Sequence, residues 1–85
     1  MASISRVVVV DPRHELAGIV RGAVALLARQ AVLVEVPGAE EALAEIERGA
    51  VDLLVTASSL PGDLDGVGLA DRVSHLALGT RVIVL

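Results

Sequence analysis

Four short runs of aliphatic residues occur along the chain, and their alternation with helical segments limits the folds open to it. The aliphatic runs, rich in Val, Leu or Ile, occupy residues 6–10, 31–36, 51–56 and 81–85. Between them, apolar residues recur at spacings of three and four, the pattern of amphipathic helices, over residues 13–28, 39–48 and 66–78. Apolar strands that alternate with helices predict a parallel sheet covered by helices.

Turn residues and apolar spacing predict how each helix begins and which side faces the sheet. Asp11 and Pro12 fit the N-cap and first position of the first helix, because proline loses nothing where the amide has no partner. The residues expected to face inward are Leu16, Ile19, Val20, Ala23, Val24 and Leu27 in the first helix, Ala42, Leu43 and Ile46 in the second, and Leu69, Val73 and Leu76 in the third. The acids expected to be exposed on the second helix are Glu40, Glu41, Glu45 and Glu47.

Length and composition indicate one small domain. Eighty-five residues are near the lower limit for a self-sufficient core, and 54% of them are hydrophobic. Aromatic residues are absent, so Val, Leu, Ile and Ala must build the core. The absence of cysteine excludes disulfides, thiolate nucleophiles and cysteine-rich zinc sites, and a cytoplasmic location is the default expectation.

The charges argue against nucleic-acid and membrane partners. Eleven acids and seven bases, all of them Arg, give a net charge of -4, and the arginines are spread singly. Without a basic patch or aromatic side chains to stack on bases, we expect no nucleic-acid binding through this segment. The apolar runs are too short to span a bilayer, and residues 1–6 lack the apolar core of a signal peptide.

The most specific pattern lies in residues 51–66, VDLLVTASSLPGDLDG. A strand leads through a short polar step into Leu60-Pro61-Gly62 and Asp65-Gly66, which open a helix. This segment resembles the phosphoacceptor strand and following loop of response-regulator receiver domains, the CheY-like family, in which DLVLLD leads to a loop written roughly MPGMDG. Ala57 stands at the place of the phosphoacceptor aspartate.

The resemblance implies a fold and an extent. It implies a three-layer α/β/α domain spanning residues 1–85, with a parallel sheet of order 2-1-3-4, as in flavodoxin-like and CheY-like proteins. It covers the whole chain but stops short, because a receiver continues with a fourth helix, a fifth strand and a fifth helix. We therefore expect a degenerate, C-terminally truncated pseudo-receiver.

The groups that perform aspartyl phosphorylation in receivers are mostly missing. Receivers supply an acidic pair after the first strand, an acceptor after the third, a hydroxyl after the fourth and a lysine after the fifth. Asp11 matches the first acid, but Pro12 stands at the second, which leaves a relic of the acidic pocket. The hydroxyl position would follow Leu85, and the chain has no lysine. Because one carboxylate is a poor Mg²⁺ site, we predict no phosphotransfer, no enzymatic activity, no metal and no cofactor.

Two alternatives from other functional classes remain open. Ser58, Ser59 or Thr56 could accept phosphate or act as nucleophiles, although small hydroxyl residues at a strand end often satisfy turn amides instead. His14 could approach Ser58 with Asp11 as its orienter, but the G-x-S-x-G elbow of hydrolases is absent. The second alternative is a nucleotide or small-ligand site at the carboxyl ends of the strands.

Weaker motifs have simpler explanations. Asp63 and Asp65 resemble the start of a calcium loop, yet the remaining ligands do not follow, so solvated loop acids are expected. Gly66 and Gly68 match two glycines of a dinucleotide fingerprint, which a flexible helix start also explains. His75 is expected to be a boundary histidine on the third helix.

The missing part of a receiver would leave apolar surface uncovered. The fourth strand would be a bare edge, and the sheet face beside the first helix would lose its cover. We expect a homodimer that buries the exposed side of the first helix and the residues Arg81, Val82, Ile83, Val84 and Leu85. The expected function is a phosphorylation-independent interaction module of bacterial signalling, at the N-terminus of a transcriptional or signalling regulator.

Overall fold

Seven elements alternate strictly between strand and helix. The computed structural model describes residues 5–27, 30–76 and 79–85, with the side chains of Ala17 and Leu27 excepted. The elements are β1 (Arg6–Val10), α1 (Ala17–Leu27), β2 (Val32–Val36), α2 (Ala39–Arg48), β3 (Leu53–Thr56), α3 (Gly66–Leu76) and β4 (Arg81–Val84). The predicted succession of strands and helices is therefore confirmed, and α2 has the predicted bounds.

The four described strands form one parallel sheet in the order β2-β1-β3-β4. β1 lies at the centre, with Val8 opposite Val34 on one side and Leu54 on the other. β4 is an edge strand and pairs only with β3 within the described residues. This is the strand order of flavodoxin-like proteins, as predicted.

Two apolar clusters fill the two faces of the sheet. On one face, Val8, Val10 and Leu54 pack with residues of α2 and α3. On the other face, β1, β3 and α1 contribute Val7, Val9, Val55, Val20 and Val24. The domain therefore has three layers, with α1 on one side and α2 and α3 on the other. Residues 7 to 10 of β1 are completely buried because both neighbours of β1 are strands and both its faces carry helices.

The prediction for the start of the first helix is wrong. α1 begins at Ala17, because the Asp11 carboxylate accepts the N–H groups of Arg13 and Leu16 and holds the preceding segment as a turn. Within this turn His14 has a φ of 59°. The Leu16 carbonyl accepts the Val20 N–H at 2.9 Å, so Leu16, rather than Asp11, takes the N-cap position. The predicted end of the helix at residue 28 lies outside the described residues.

Several predicted inward positions on α1 and α3 are exposed. Val20 and Val24 are buried as expected, and Leu16 is half-buried. Ile19 and Ala23 face outward, because none of the helices described lies beside them on that face. Leu76 is 64% exposed, since it lines a depression with Val51 and Thr80 beyond the amino ends of β3 and β4. The predicted continuation of α3 through residues 77 and 78 lies outside the described residues, as does the predicted inward position of the Leu27 side chain.

α2 packs largely as predicted. Ala42 is buried, and Leu43 and Ile46 pack against the same cluster. Glu45 is not exposed as predicted, because it forms an ion pair with Arg6 at the amino end of β1. Arg6 also donates to the carbonyls of Glu45 and Gly49, at 3.0 and 3.2 Å, so it binds the last turn of α2 to the sheet.

Candidate functional site

The carboxyl ends of the two central strands bring Asp11 and Ala57 together. Val10 and Thr56 are register partners, so the residues that follow them lie side by side at the same edge of the sheet. The Ala57 N–H donates to the Val10 carbonyl at 2.9 Å, and the Asp11 N–H donates to the Val36 carbonyl at 3.0 Å. Asp11 and Ala57, the two positions that the receiver resemblance singled out, therefore lie side by side in the fold.

Asp11 is 2% exposed, and its carboxylate is occupied by the protein's own backbone. One oxygen accepts the Arg13 N–H at 3.0 Å, and the other accepts the Leu16 N–H. The bond from Leu16 lowers the pKa of Asp11 below its ordinary value and outweighs the opposing effect of burial. Asp11 is therefore an ionised carboxylate that fixes the turn after β1.

A small depression lies above Asp11 and Ala57. Its volume is about 220 Å³, and it is lined by Asp11, Pro12, Arg13, Glu15, Leu16, Ala57, Ser58, Ser59 and Leu85. This volume is below the roughly 300–1,000 Å³ of typical ligand sites. Among the lining residues, Ala57 contributes a methyl group where phosphoryl chemistry would need a nucleophile.

The three hydroxyl residues at this edge are placed differently from one another. Thr56 is completely buried, and its hydroxyl donates to the Ala57 carbonyl at 2.9 Å, so it does not face the depression as a nucleophile. Ser58 and Ser59 are exposed and line the depression. Ser58 holds the loop through its backbone, since its N–H donates to the Leu85 carbonyl at 2.9 Å and its carbonyl accepts the Gly66 N–H at 3.0 Å.

The residues considered for a catalytic triad do not converge. His14 Nδ1 contacts Glu35 Oε1 of β2, on the opposite side of β1 from Ser58. Among the described side-chain hydrogen bonds, none joins His14 to Ser58 or to the Asp11 carboxylate. The described residues also contain no group of three or more His, Asp or Glu side chains arranged as metal ligands.

The loop before α3 contains two structural roles that the sequence interpretation missed. Asp65 caps α3, because its carboxylate accepts the Gly68 N–H at 2.8 Å and its carbonyl accepts the Leu69 N–H at the same distance. Gly66 lies against the end of β3, where a Cβ atom would stand 2.1 Å from the Ala57 carbonyl oxygen. The D-G pair is the sequence signal for this cap and close contact. Asp63 is exposed, as expected for a solvated loop acid.

A wide acidic cleft lies beside this loop. It has a volume of about 540 Å³ and is bounded by the start of α2, the loop at residues 61–64 and Arg72 of α3. Its acids are Glu40, Glu41 and Asp63, and Arg72 is the basic side chain among its lining residues.

His75 is exposed at the other end of α3, where its Nδ1 lies 2.8 Å from the Asp71 carbonyl oxygen.

Asp52, at the amino end of the sheet, is a further structural carboxylate that the sequence interpretation did not single out. It accepts the N–H groups of Ser5 and Arg6 at 2.7 and 2.9 Å. These two bonds lower the pKa of Asp52, with the bond from Ser5 the larger cause. Asp52 therefore joins the start of β1 to the start of β3.

The five predicted dimer residues, of which four are apolar, lie at the β4 edge of the sheet. In β4, Ile83 is 46% exposed and Val84 is 37% exposed, and the following Leu85 is 58% exposed. Arg81 is exposed and Val82 packs partly on the α2–α3 side.

Among the described helices, none combines the length and apolar character needed to cross a bilayer. No protein-family model matches the chain, and a comparison with curated proteins finds no similar sequence.

Proposed function

We propose that this chain is a phosphorylation-independent pseudo-receiver that acts as a protein interaction and dimerisation module in bacterial signal transduction. The observation that carries the proposal is the pair formed by Asp11 and Ala57 at the carboxyl edge of a 2-1-3-4 sheet. This edge is where a receiver would accept a phosphoryl group. Here a methyl group occupies the acceptor position, and the neighbouring carboxylate is used by backbone N–H groups.

Two further features support a role in binding proteins rather than in catalysis. The depression above Ala57 is small, and the hydroxyl of Thr56 is turned into the domain. In contrast, several large aliphatic side chains of α1 and β4 are exposed, and exposed apolar surface of this kind is typical of protein interfaces. The module is proposed to work in the cytoplasm as a homodimer, as the regulatory domain of a transcriptional or signalling regulator, without binding nucleic acid or membrane itself.

The phosphotransfer part of the proposal is tested with a small-molecule phosphodonor. The chain is incubated with acetyl phosphate and Mg²⁺, and its intact mass is measured. We expect no mass increase, because an alanine methyl cannot attack phosphorus. A matched sample of Ser58→Ala and Ser59→Ala variants identifies the acceptor if one exists. A stable adduct of one phosphoryl group that disappears in either variant would contradict the proposal and favour the serine alternative.

A further inference from the structure

One face of the sheet is only half covered. Four strands spaced about 4.8 Å apart present a face roughly 19 Å wide, and a helix with its side chains covers about 10 Å of it. α2 and α3 together cover one face, whereas α1 is the one described helix on the other. On this second face the side chains of Ile83 and Leu85 remain 46% and 58% exposed. The uncovered strip beside α1 therefore has the width of one further helix.

The side of α1 that borders this strip is apolar. Glu15 and Leu16, which directly precede the helix, line the same depression as Leu85, so this side of α1 faces β4. Residues on the same side follow at spacings of three and four, and these are Ile19, Ala23 and Leu26. Ile19 is 71% exposed and Leu26 is 89% exposed. We call this surface the α1–β4 trough. Its wall consists of Ile19, Ala23 and Leu26, and its floor consists of Ile83 and Leu85.

A third side of α1 consists of small residues. Gly18, Gly22 and Ala25 are exposed on the side that points away from the sheet, and a Cβ atom at either glycine would meet nothing within 4 Å. Arg21, the sole charged residue of α1, lies on the remaining side, away from the trough. A helix that is apolar on three sides is normally buried on three sides. The described chain buries only one of them.

The distribution of charge favours burial of the same surface. The named wall and floor residues of the trough are uncharged, and exposed charges border it at its two ends, with Glu15 beside Leu85 and Arg81 at the start of β4. Apart from Glu15, the exposed acids described lie elsewhere, on α2, α3 and the loop between β3 and α3: Glu40, Glu41, Glu47, Asp63, Asp65 and Asp71. Two copies that meet through their troughs would keep these acids in water and apart.

We propose that a second copy of this chain occupies the trough with its own α1, an inference that rests on the proposed dimerisation function. In this arrangement the two α1 helices lie antiparallel in one layer between the two sheets, and a twofold axis passes near Ala23. Ile19 of one copy packs against Leu26 of the other. The small side of α1, at Gly18 and Gly22, receives Ile83 and Leu85 of the second copy. One surface thus supplies both halves of an isologous interface.

The alternative dimer is formed by pairing of the β4 edges. The N–H groups of Arg81 and Leu85 donate to Asp52 and Thr56 beside them, so the backbone groups of Val82 and Val84 point toward the open edge. A twofold pair through these groups would place Ile83 of both copies next to each other. It would leave Ile19 and Leu26 in water, because each α1 would stand far from the axis. The trough dimer covers more of the exposed apolar surface, and we therefore favour it.

Single cysteines distinguish the two arrangements, since the chain has no cysteine of its own. Ala23→Cys lies near the axis of the trough dimer, and Ile83→Cys lies on the axis of an edge-paired dimer. Glu47→Cys, exposed on α2, measures random collisions. After mild oxidation of the 85-residue chain, we expect disulfide-linked dimers of Ala23→Cys at least tenfold faster than of the other two variants.

The other results separate the two proposals. Rapid linking of Ile83→Cys with slow linking of Ala23→Cys would overturn the trough and leave the homodimer intact. Linking of Ala23→Cys no faster than that of Glu47→Cys would also overturn the trough. A monodisperse monomer by light scattering at micromolar concentration would overturn both the trough and the proposed homodimer.

A charge in the wall provides a second test. Leu26→Arg places a cation in the trough, whereas Leu76→Arg places one at a comparably exposed leucine of α3. We expect the dimer dissociation constant to rise at least tenfold for Leu26→Arg and to stay unchanged for Leu76→Arg. Circular dichroism verifies that both variants are folded. Equal effects of the two substitutions would overturn the proposal.

Discussion

Substitution of Gly66 by alanine is the most direct test of how the carboxyl edge is built. A Cβ atom at this position would lie 2.1 Å from the Ala57 carbonyl oxygen and 2.9 Å from the Ser58 Cα atom. Both are backbone atoms, so neither can move without shifting the end of β3 or the start of α3. Overpacking of this kind costs about 1–3 kcal/mol. The better helix propensity of alanine, worth up to about 1 kcal/mol in a helix interior, offsets little at the first helical position.

We therefore expect Gly66→Ala to lower the free energy of unfolding by about 2 kcal/mol. With an m-value of about 1 kcal/mol/M for a domain of this size, the urea midpoint would fall by about 2 M. The transition is followed by circular dichroism of the helices, because the chain has no aromatic fluorophore.

Gly68→Ala is the matched control in the same helix. There a Cβ atom would first meet Leu64 Cδ1 at 2.8 Å, the free end of a flexible side chain that can rotate away. Its midpoint should stay within about 0.5 M of the parent chain, in keeping with the small effects of most surface substitutions. An unchanged midpoint for Gly66→Ala, or an equal fall for both variants, would refute the close contact between α3 and the end of β3.

Two further predictions concern Asp11 and Arg6. Because the pKa of Asp11 is lowered in the fold, its carboxylate stabilises the protein above the ordinary pKa of 3.8, and this contribution is lost as the pH falls through the folded-state value. Asp11→Asn should therefore lower the urea midpoint at pH 7 and weaken the further fall of that midpoint toward pH 3. Asp63→Asn, at an exposed loop acid, is the control substitution, and equal pH dependence of the parent chain and the Asp11→Asn variant would contradict the role of Asp11. Arg6→Ala should cost about 1–3 kcal/mol, because it leaves the carbonyls of Glu45 and Gly49 without their donor. Arg48→Ala removes a more exposed partner of the same Glu45 carboxylate and should cost less than about 1 kcal/mol. Both losses of stability are measured by urea unfolding, and equal losses for Arg6→Ala and Arg48→Ala would contradict the stronger role of Arg6.

The order of elements was predictable because each strand and helix has a strong local pattern. The run of valines in β1 and the spacing of Ala42, Leu43 and Ile46 in α2 leave little choice of structure. The start of α1 was not predictable in the same way. Asp11 followed by Pro12 reads as a helix start, yet the Asp11 carboxylate bonds with amides two and five residues ahead and forms a turn instead. Both outcomes satisfy the Arg13 N–H, so the local pattern does not distinguish them.

Exposure was harder to predict than secondary structure, because it depends on which neighbours are present. Ile19 and Leu76 both lie on apolar spacings. Within the residues that the structure describes, Ile19 has no helix beside it, and Leu76 extends past the end of the sheet. The position of Ala57 next to Asp11 followed from the register of parallel strands, which the sequence pattern could anticipate. The contact of Glu45 with Arg6 joins residues 39 positions apart, and no local pattern indicates it.

The complete burial of β1 has a consequence for following the protein in solution. Residues 7 to 10 lie between two strands and two helical layers, and branched valine side chains have few rotamers to exchange. Their amide protons can meet solvent only when the sheet itself comes apart, so their rates of hydrogen–deuterium exchange measure global opening. In a chain without tryptophan or tyrosine, these backbone amides therefore serve as the internal reporter of whether the domain is intact.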